Sequence, residues 1–457
     1  MSTGIYWFRR DLRLADNPGL ARALAMHEAV FFVYLDEQTQ APYDASRAWL
    51  SRSLQALAAD IAARGGVLNV LTGRAEALLP RLAAALGAEA VHVSTLHEPD
   101  ADARDARLAK TLLHEGVRLL RNGGRVLTDA DRLRSKSETV YRVFTPFYKA
   151  ALGTWRHVAV EAPTHLSAVQ LPEGEDWPTT EVRSPRPAWD LGFWQHSTPG
   201  ERAAHLRLEA FLGEVDGYVE ARDYPGQDAT SRLSAHLHFG EISPGRVLAQ
   251  TRAIGSAGAD KFLAEIGWRE FAYYVLYHWP QSTSCNFNPR FDSLQWREDP
   301  EGLSAWAQGR TGVPLVDAGM RQLWHEGRMH NRVRMVVASW LTKHMGIHWQ
   351  EGAKWFMHTL VDADLANNTL GWQWVAGTGV DAAPYFRIFN PVSQSQKFDP
   401  SGEYLRRWLP ELAALDNRSI HAPWMSGVSV RGYPAKPIVD LQTGRQDALD
   451  RFARTAR

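Results

Sequence analysis

Several features that mark common protein classes are missing from this sequence. It has a single cysteine, Cys285, which excludes an internal disulfide or a cysteine-cluster metal site and fits a reducing compartment. No apolar run is long enough to cross a membrane, and the first residues carry arginine and aspartate where a secretory signal has its apolar stretch. The sequence therefore predicts a soluble, cytoplasmic protein that contacts no membrane.

A net charge is missing as well. The 51 lysines and arginines equal the 51 aspartates and glutamates, so global charge gives no support to nucleic-acid binding, and any DNA site must be a local basic patch. The glycine pattern of ordinary dinucleotide-binding folds, GxGxxG, is absent. Tryptophan is in excess, with 18 copies. Most of them are expected to pack in cores, although an indole ring can also stack on a base or carry an electron.

The predicted elements divide the chain into two parts. Short apolar runs alternate with helical stretches in the first part, which predicts an α/β domain with a parallel sheet and crossover helices. The runs are residues 4–8, 29–35, 67–71 and 89–93, and the helical stretches include 47–63 and 75–86. After a connector rich in proline, serine, threonine and acidic residues, helical spacing dominates at 203–212, 260–277, 316–325, 332–345 and 350–360. The predicted units are an α/β domain at 1–130, a connector at 131–205 and an all-α domain at 206–457.

Charged residues follow the first predicted strand, where Arg9, Arg10 and Arg13 flank Asp11. Ligands of parallel sheets bind beyond the carboxyl ends of the strands, so this segment is a candidate ligand-facing loop. A solvated charged turn is the alternative, and the sequence alone does not decide between the two.

Hydroxyl groups and one guanidinium gather at residues 230–234, next to a predicted helix start. Such side chains, together with backbone N–H groups, suit a phosphate or pyrophosphate. A helix cap with an exposed arginine explains the same residues. The segment is therefore a candidate phosphate site that has a plain structural alternative.

A second cluster, at residues 362–379, interleaves aspartates and asparagines with tryptophans. A polar ligand facing aromatic walls explains this pattern better than turn chemistry, which accounts for only some of the polar residues. Asp362 and Asp364 are also conceivable metal ligands, but no histidine lies at ligand spacing within the cluster. We expect no metal at this site.

Motifs spread along nearly the whole chain make the sequence similar to the photolyase and cryptochrome family. They are WFRRDLRL at 7–14, DYP at 223–225, TSRLS at 230–234, WREF at 268–271, MHNR at 329–332, DAAPYFR at 381–387, Gln394 and KFD at 397–399. Their order is that of the family, and the set most resembles the class I cyclobutane pyrimidine dimer (deoxyribodipyrimidine) photolyases. The resemblance implies a Rossmann-like N-terminal domain with a parallel sheet and an all-α C-terminal domain that binds FAD.

By the same resemblance, one set of residues contacts FAD, whose reduced form, FADH−, would be the active one. The set comprises Tyr218, Thr230, Ser231, Arg232, Leu233, Ser234, Arg334, Asp362, Ala363, Asp364 and Asn368. Arg334 is the implied partner of Asp362. Asn368 is implied to face flavin N5, where an amide oxygen can accept a hydrogen bond from N5–H and favour the reduced flavin. An amide that caps a turn is the alternative for Asn368.

A further set is implied to bind damaged DNA with a flipped pyrimidine dimer. It comprises Arg222, Glu265, Trp268, Arg269, Asn331, Arg332, Met335, Trp374 and Gln394. Trp268 and Trp374 can wall an extruded dinucleotide, and Glu265 can hydrogen-bond base edges, although an ion pair with a neighbouring arginine is its structural alternative. Excited FADH− would pass an electron to the dimer, which would split and return it, so the implied enzyme is a carbon–carbon lyase with Glu265 and Asn368 among its catalytic residues.

The family's tryptophan chain, which reduces resting flavin, is implied at Trp372, Trp349 and Trp296. Their separations along the sequence have no helical spacing, so their proximity depends on the resemblance. The family also has a second, antenna chromophore, a folate or a deazaflavin, and residues 96–105 do not identify it. The protein is expected to act as a monomer.

Other functions compete with dimer repair. A (6-4) photolyase uses a pair of histidines for acid–base chemistry, and His330 keeps this alternative open although Asn331 and Arg332 depart from that arrangement. A cryptochrome, which senses light and repairs nothing, often carries a long extension beyond the segment that matches 397–399. A plain flavin oxidoreductase lacks support because no NAD(P) fingerprint is present.

Overall fold

The structure, a computed structural model, describes residues 2–37, 45–184, 189–427 and 429–455. Its N-terminal part alternates strands and helices, as predicted. The strands are β1 (Thr3–Phe8), β2 (Ala29–Asp36), β3 (Leu68–Thr72), β4 (Ala88–Ser94) and β5 (Arg118–Asn122), and the helices are α1 (Pro18–Met26), α2 (Ala45–Ala62), α3 (Ala75–Leu86) and α4 (Pro99–His114). The sequence did not predict β5, because its apolar run is only two residues long, between Arg118 and Arg121.

These strands form one parallel sheet in the order β3-β2-β1-β4-β5. Alternate residues of β1 enter different layers, since Tyr6 packs with Trp49 of α2 while Trp7 packs with Leu79 of α3. Helices therefore cover both faces, which is why the strands are apolar throughout. The strand order reverses between β1 and β4, so a crevice is expected at their carboxyl ends.

Helices make up the regular structure of the rest of the described chain. They are α5 (Phe144–Thr154), α6 (Glu201–Leu212), α7 (Tyr218–Ala221), α8 (Ser234–Phe239), α9 (Pro244–Ile254), α10 (Ala257–His278), α11 (Pro300–Ala307), α12 (Pro314–Glu326), α13 (Asn331–Ser339), α14 (Trp349–Thr359), α15 (Leu365–Ala376), α16 (Pro391–Phe398), α17 (Glu403–Trp408) and α18 (Leu441–Thr455). The single helix predicted over 332–345 is instead α13 followed by a π-helical turn, Trp340–Met345. The predicted fold class is confirmed.

The helical part packs directly against the sheet domain. Phe193, Phe239 and Val361 join the apolar layer that covers one face of the sheet. α5, inside the predicted connector, packs on α10, so the connector belongs to the helical packing as well. The domain boundaries at 1–130, 131–205 and 206–457 stay a prediction. Within the described ranges, no helix is long and apolar enough to cross a membrane.

Candidate functional site

Arg207 of α6 holds the 230–234 loop in place through two hydrogen bonds to the loop backbone. Arg207 donates from Nη2 to the carbonyl oxygen of Thr230 at 2.6 Å and from Nε to that of Ser231 at 2.9 Å. Leu233 anchors the loop in the core, with 1% of its surface exposed. Arg232 has a left-handed backbone, with φ of 53°, and its Nε lies 2.7 Å from Asp228 Oδ1. The hydrogen bonds to the carbonyl oxygens of Thr230 and Ser231 and the burial of Leu233 therefore hold the loop in place. The hydroxyl groups of the loop are not needed for this.

The helix-cap alternative for this loop is wrong in the structure. A helix start lies next to the loop, as predicted: α8 begins at Ser234, but its N-cap is Leu233, which makes no side-chain cap hydrogen bond. α8 is only six residues long. An anion site here therefore depends on side chains more than on a helix dipole.

Asp362 and Asp364 lie on the connection between α14 and α15 and have different surroundings. Asp362 is half-buried, and Arg334 Nη2 lies 3.4 Å from both of its carboxylate oxygens, which is the predicted pair. Burial alone would raise the pKa of Asp362, but the positive charge of Arg334 and a hydrogen bond from Ser234 keep it below its ordinary value. Asp362 thus joins the 230–234 loop to the start of α13, and the neighbouring Ala363 is buried.

Asp364 is the N-cap of α15. Its Oδ1 accepts from the backbone N–H of Asn367 at 2.9 Å, and its Oδ2 accepts from the hydroxyl of Tyr273. Burial opposes its ionisation, but hydrogen bonds and nearby positive charge hold the pKa of Asp364 well below its ordinary value. Both oxygens are engaged by the protein, so the predicted cofactor contact would have to share them and stays a prediction.

One face of α15 carries Asn368 and, one turn later, Trp372. Asn368 donates from Nδ2 to the carbonyl oxygen of Ala353 on α14, at 3.0 Å. This hydrogen bond assigns the amide orientation and leaves Oδ1 as an acceptor with no partner among the described residues. The turn-capping alternative is therefore not what holds this side chain.

The tryptophan chain is brought together although its members are far apart in the sequence. The six-membered ring of Trp372 packs on α14 at Gly352, where a Cβ atom would lie 2.0 Å from the ring. Trp349 begins α14 and shares that helix face, one turn before Gly352. His348 then lies between Trp349 and Trp296, at 5.6 Å and 4.8 Å between ring centroids. Trp372 and Trp349 are buried and Trp296 is half-buried, so Trp296 is the most accessible of the three residues.

A stacked aromatic pair forms part of the predicted substrate site. The ring of Trp268 on α10 stacks on Phe144 of α5, with centroids 3.9 Å apart and planes at 8°. Phe144 was missed by the sequence analysis because it lies in the connector, far from the motifs. One face of Trp268 is thus covered, and a base can stack only on the other.

A charged pair and a cation–π contact border the same region. Glu265 pairs with Arg222, which is the structural alternative foreseen for Glu265. Arg222 also lies over the ring of Tyr218, 5.3 Å from its centroid, and burial raises the pKa of Tyr218 to about 12. Without DNA, the Arg222 guanidinium therefore binds the Glu265 carboxylate, in the place of the predicted DNA phosphate.

Arg332 packs against α16, the helix that carries Gln394. Arg332 binds Asp223 at 2.8 Å, and its guanidinium lies 4.4 Å from the ring centroid of Phe398, one helical turn from Gln394. Arg332 Nε and Gln394 Oε1 are both buried without a hydrogen-bond partner in the described structure. The remaining predicted substrate residues are the exposed Asn331 and the half-buried Met335 and Trp374.

Arg269, a member of the predicted substrate set, is engaged within the protein. Its Nη1 donates to Glu270 at 2.9 Å and its Nη2 donates to the carbonyl oxygen of Arg125 at 3.0 Å. These contacts join α10 to the sheet domain, and the substrate role of Arg269 stays a prediction.

Residues 9–13 do not form the solvated turn that was one alternative, because most of their charged side chains are buried and paired within the protein. Arg9 donates from Nη1 to both oxygens of the fully buried Asp105, at 2.8 Å each. Arg13 donates to the carbonyl oxygen of Gly240, at 2.8 Å, where the chains approach so closely that a Cβ at Gly240 would lie 2.1 Å from the Arg10 carbonyl oxygen. Residues 9–13 and their partners are called the interdomain clasp below.

His238 connects the interdomain clasp to Asp364 by hydrogen bonds. Arg10 donates to His238 Nε2, so His238 Nδ1 carries the hydrogen and points at Asp364 Oδ2, 3.3 Å away. Burial, and then the charge of Arg10, lower the pKa of His238 to about 4. This histidine is therefore neutral near pH 7, with a fixed tautomer.

Residues 96–105 take part in the same domain contact. Glu98 accepts two hydrogen bonds from Arg125, at 2.8 Å each, and the His97 ring lies edge-on to Tyr273. Asp105 is held by Arg9. These contacts explain the charges of the segment and identify no chromophore, so the antenna stays a prediction.

His330 caps α13, because its Nδ1 accepts from the backbone N–H of Arg332 at 3.2 Å. Burial lowers the pKa of His330 to about 4. The ring is thus a neutral capping group, which disfavours the acid–base role that a (6-4) photolyase would need.

Comparison with known proteins places this geometry in a family. The model described as "DNA photolyase" matches residues 4–166, and the model described as "FAD binding domain of DNA photolyase" matches residues 262–454. A curated relative from Agrobacterium fabrum, a deoxyribodipyrimidine photo-lyase, is 42% identical over 98% of this chain and 97% of its own length.

Solved structures agree. A bacterial class III photolyase from Agrobacterium tumefaciens has a TM-score of 0.94 at 41% identity and covers 100% of this chain and 98% of its own. A cryptochrome from Synechocystis sp. PCC6803 has a TM-score of 0.88 at 30% identity and covers 98% of this chain and 99% of its own. The finer assignment to class I stays a prediction.

Both the sheet domain and the helical cleft that contains Asp362, Asn368 and Trp372 fall within the matched regions. The chain therefore belongs to the photolyase and cryptochrome family, among enzymes whose curated members carry the name deoxyribodipyrimidine photo-lyase.

Proposed function

We propose that this protein uses light and reduced FAD to repair cyclobutane pyrimidine dimers in DNA. The observation that carries the proposal is the pair of unsatisfied polar atoms, Arg332 Nε and Gln394 Oε1, in the predicted substrate set. Buried polar atoms nearly always have partners, because leaving one unpaired costs about 1 to 3 kcal/mol. A polar ligand that enters the site would satisfy both atoms.

The chain's residues fit FAD. Asn368 Oδ1 is held as a free acceptor, which suits the N5–H of a reduced flavin and would favour that redox state. The 230–234 loop supplies hydroxyl groups and Arg232 for the phosphates, and Arg334 with Asp362 lies beside it. When bound and reduced, FAD supplies the excited electron that opens the cyclobutane ring and takes it back.

The substrate residues bind and orient a flipped dimer in this proposal. Trp268, backed by Phe144, offers one face to a base, which fixes the plane of the lesion. Glu265 accepts hydrogen bonds from base edges once a DNA phosphate draws Arg222 away from it. A dimer pairs poorly in the duplex, so extruding it costs less than extruding intact bases, which supports selectivity.

The tryptophan chain has a separate task in this proposal. Trp372 would be the electron donor to a resting flavin, and Trp349 and Trp296 would in turn re-reduce Trp372, with Trp296 open to an external donor. Of the three residues, only Trp296 is more than slightly exposed, which supports its place as the last member of the chain. Repair itself does not need them.

We test the function with two DNA substrates, one with a cyclobutane thymine dimer and one with a (6-4) photoproduct, illuminated with chemically pre-reduced protein. Repair of the first alone is expected. Repair of the second alone would make the protein a (6-4) photolyase, against the capping role of His330. Repair of neither would make it a cryptochrome-type photoreceptor. We also propose that the protein acts as a monomer.

A further inference from the structure

Arg328 lies between α12 and α13 without a partner. Its side chain makes no hydrogen bond and no ion pair with any residue that the structure describes. It is half-buried, and it is deep enough for desolvation, with the nearby charge of Arg232, to lower its pKa to about 10. The Arg328 guanidinium is thus partly desolvated and still accessible to a ligand.

Arg328 lies near Asp362 of the helical cleft. Gly327 ends α12, and its carbonyl oxygen accepts from the backbone N–H of Val361 at 2.9 Å. Arg328 and Asp362 follow these two residues directly, so they lie on neighbouring connections of the helical part. Their charges interact, as do those of Arg328 and Arg232.

No carboxylate near Arg328 is free to neutralise it. Asp362 is held by Arg334 and Ser234, and Asp228 is held by Arg232 at 2.7 Å. A third acid, Glu326, accepts from Gln322 Nε2 at 2.9 Å. These are the acidic groups that face Arg328 in the described chain, and each has another partner.

Three other deeply placed arginines each have a hydrogen-bond or ion-pair partner. Arg9 has Asp105, Arg13 has the Gly240 carbonyl oxygen, and Arg125 has Glu98. A buried cation without a partner is unfavourable, and a second cation nearby makes it more so. An anion bound beside Arg328 and Arg232 would therefore supply the negative charge that Arg328 lacks.

We propose that Arg328 binds the anionic diphosphate of FAD together with Arg232. The role rests on the proposed function, because it takes FAD as the ligand of this cleft. Thr230, Ser231 and Ser234 supply hydroxyl groups from the loop that carries Arg232, and Arg328 approaches from the α12–α13 connection. A planar guanidinium matches two phosphate oxygens at once.

Replacing Arg328 should affect the stability of the flavin-free protein and its affinity for FAD in opposite ways. Arg328→Gln removes an unpaired cation, so the thermal stability of the flavin-free full-length chain should be unchanged or higher. FAD binding should weaken by about 10- to 100-fold, as expected for loss of a hydrogen bond to a charged group. Riboflavin, which has no phosphate, should bind both proteins within about twofold.

The experiment reconstitutes flavin-free chains with FAD or riboflavin and follows the quenching of flavin fluorescence. Arg328→Lys keeps the positive charge but loses the paired N–H donors of the planar guanidinium, so its FAD affinity should lie between those of the parent and Arg328→Gln. Arg310→Gln, at an exposed arginine, is the matched control and should bind FAD like the parent.

Three results would overturn the inference. Unchanged FAD affinity in Arg328→Gln would remove its cofactor role, and weaker binding of undamaged DNA in the same variant would assign Arg328 to DNA phosphates instead. An equal loss of FAD and riboflavin would make the residue a structural support. A parent chain that binds no FAD would be a different failure, since it would overturn the proposed function and this inference with it.

Discussion

The interdomain clasp and the proposed cofactor and substrate site both contain arginines, but the partners of these arginines differ. In the clasp, Arg9 and Arg13 are buried and each guanidinium donates to a carboxylate or a carbonyl oxygen, although Arg9 Nε itself has no partner in the described structure. In the proposed site, Arg328 has no hydrogen-bond or ion-pair partner among the described residues. The clasp arginines are thus held by the protein itself, whereas Arg328 is available to a ligand. Clasp variants should therefore change stability, and cleft variants should change chemistry.

The largest expected effect is on the cleft. Trp372→Phe should abolish photoreduction of oxidised FAD by an external donor, because phenylalanine fills much of the same space but is far harder to oxidise. The ring's contacts with Gly352 and Phe356 are apolar, so folding and flavin content should persist. Absorption spectra during illumination give the measurement. Photoreduction at the parent rate would remove Trp372 from the chain.

Next in size is a change to the clasp. Arg9→Met removes the bidentate partner of the buried Asp105 and leaves it mainly Arg104, whose Nη2 lies 3.1 Å from Oδ1, which should lower the free energy of unfolding by about 1 to 3 kcal/mol. Arg74→Met breaks an exposed pair with Glu76 and serves as the control, with little expected change. Denaturant unfolding of the flavin-loaded proteins measures both. Equal losses in the two variants would mean that the clasp is no more important than a surface ion pair.

DNA binding gives a third, smaller contrast. Arg332→Ala should weaken binding of dimer-containing DNA by about tenfold at moderate salt and reduce the slope of log affinity against log salt by about one. Arg222→Ala should have a smaller effect, because DNA must first displace Arg222 from Glu265. Arg310→Ala is the exposed control. If Arg332→Ala binds like the control, Arg332 is not a DNA contact.

The fourth prediction concerns pH. His238 faces Arg10, Asp364 and Arg125, and its pKa of about 4 lies below that of an unfolded histidine, about 6.5. Between these values only the unfolded chain binds the proton, so stability is full above pH 6.5 and falls as the pH drops toward 4, by up to about 1.4 kcal/mol per pH unit. His238→Gln should flatten this part of the profile. An unchanged slope would mean that His238 is protonated in the folded protein.

The smallest effect is expected at Asn368. Asn368→Ala removes the acceptor for N5–H, worth about 1 kcal/mol, so the two-electron reduction potential of bound flavin should fall by about 20 mV. Asn367→Ala is the neighbouring control, because that amide binds Asp364 instead. Spectroelectrochemical titration measures the shift. Equal shifts in both variants would indicate a general change in α15.

The fold was predictable from the sequence, but the partners of the arginines were not. The strands β1 to β4 follow from apolar periodicity, whereas the phosphate role that the hydroxyl groups of residues 230–234 indicate stays a prediction. Residues 9–13 were misjudged because their partners, such as Asp105 and Gly240, are distant in the sequence. Arg328 was missed since an arginine after a helix-ending glycine has no local pattern, and only the lack of a partner marks it.

Trp372 and Trp374, two positions apart on α15, provide the most direct test of the central claim. Trp374→Phe should weaken dimer binding and slow repair while photoreduction continues. Pre-reduced Trp372→Phe should split the dimer in thymine-dimer DNA at nearly the parent rate, because its flavin is already in the active state. Loss of both repair and photoreduction in both variants, with the proteins folded and flavin-loaded, would contradict the separation of substrate binding from flavin reduction.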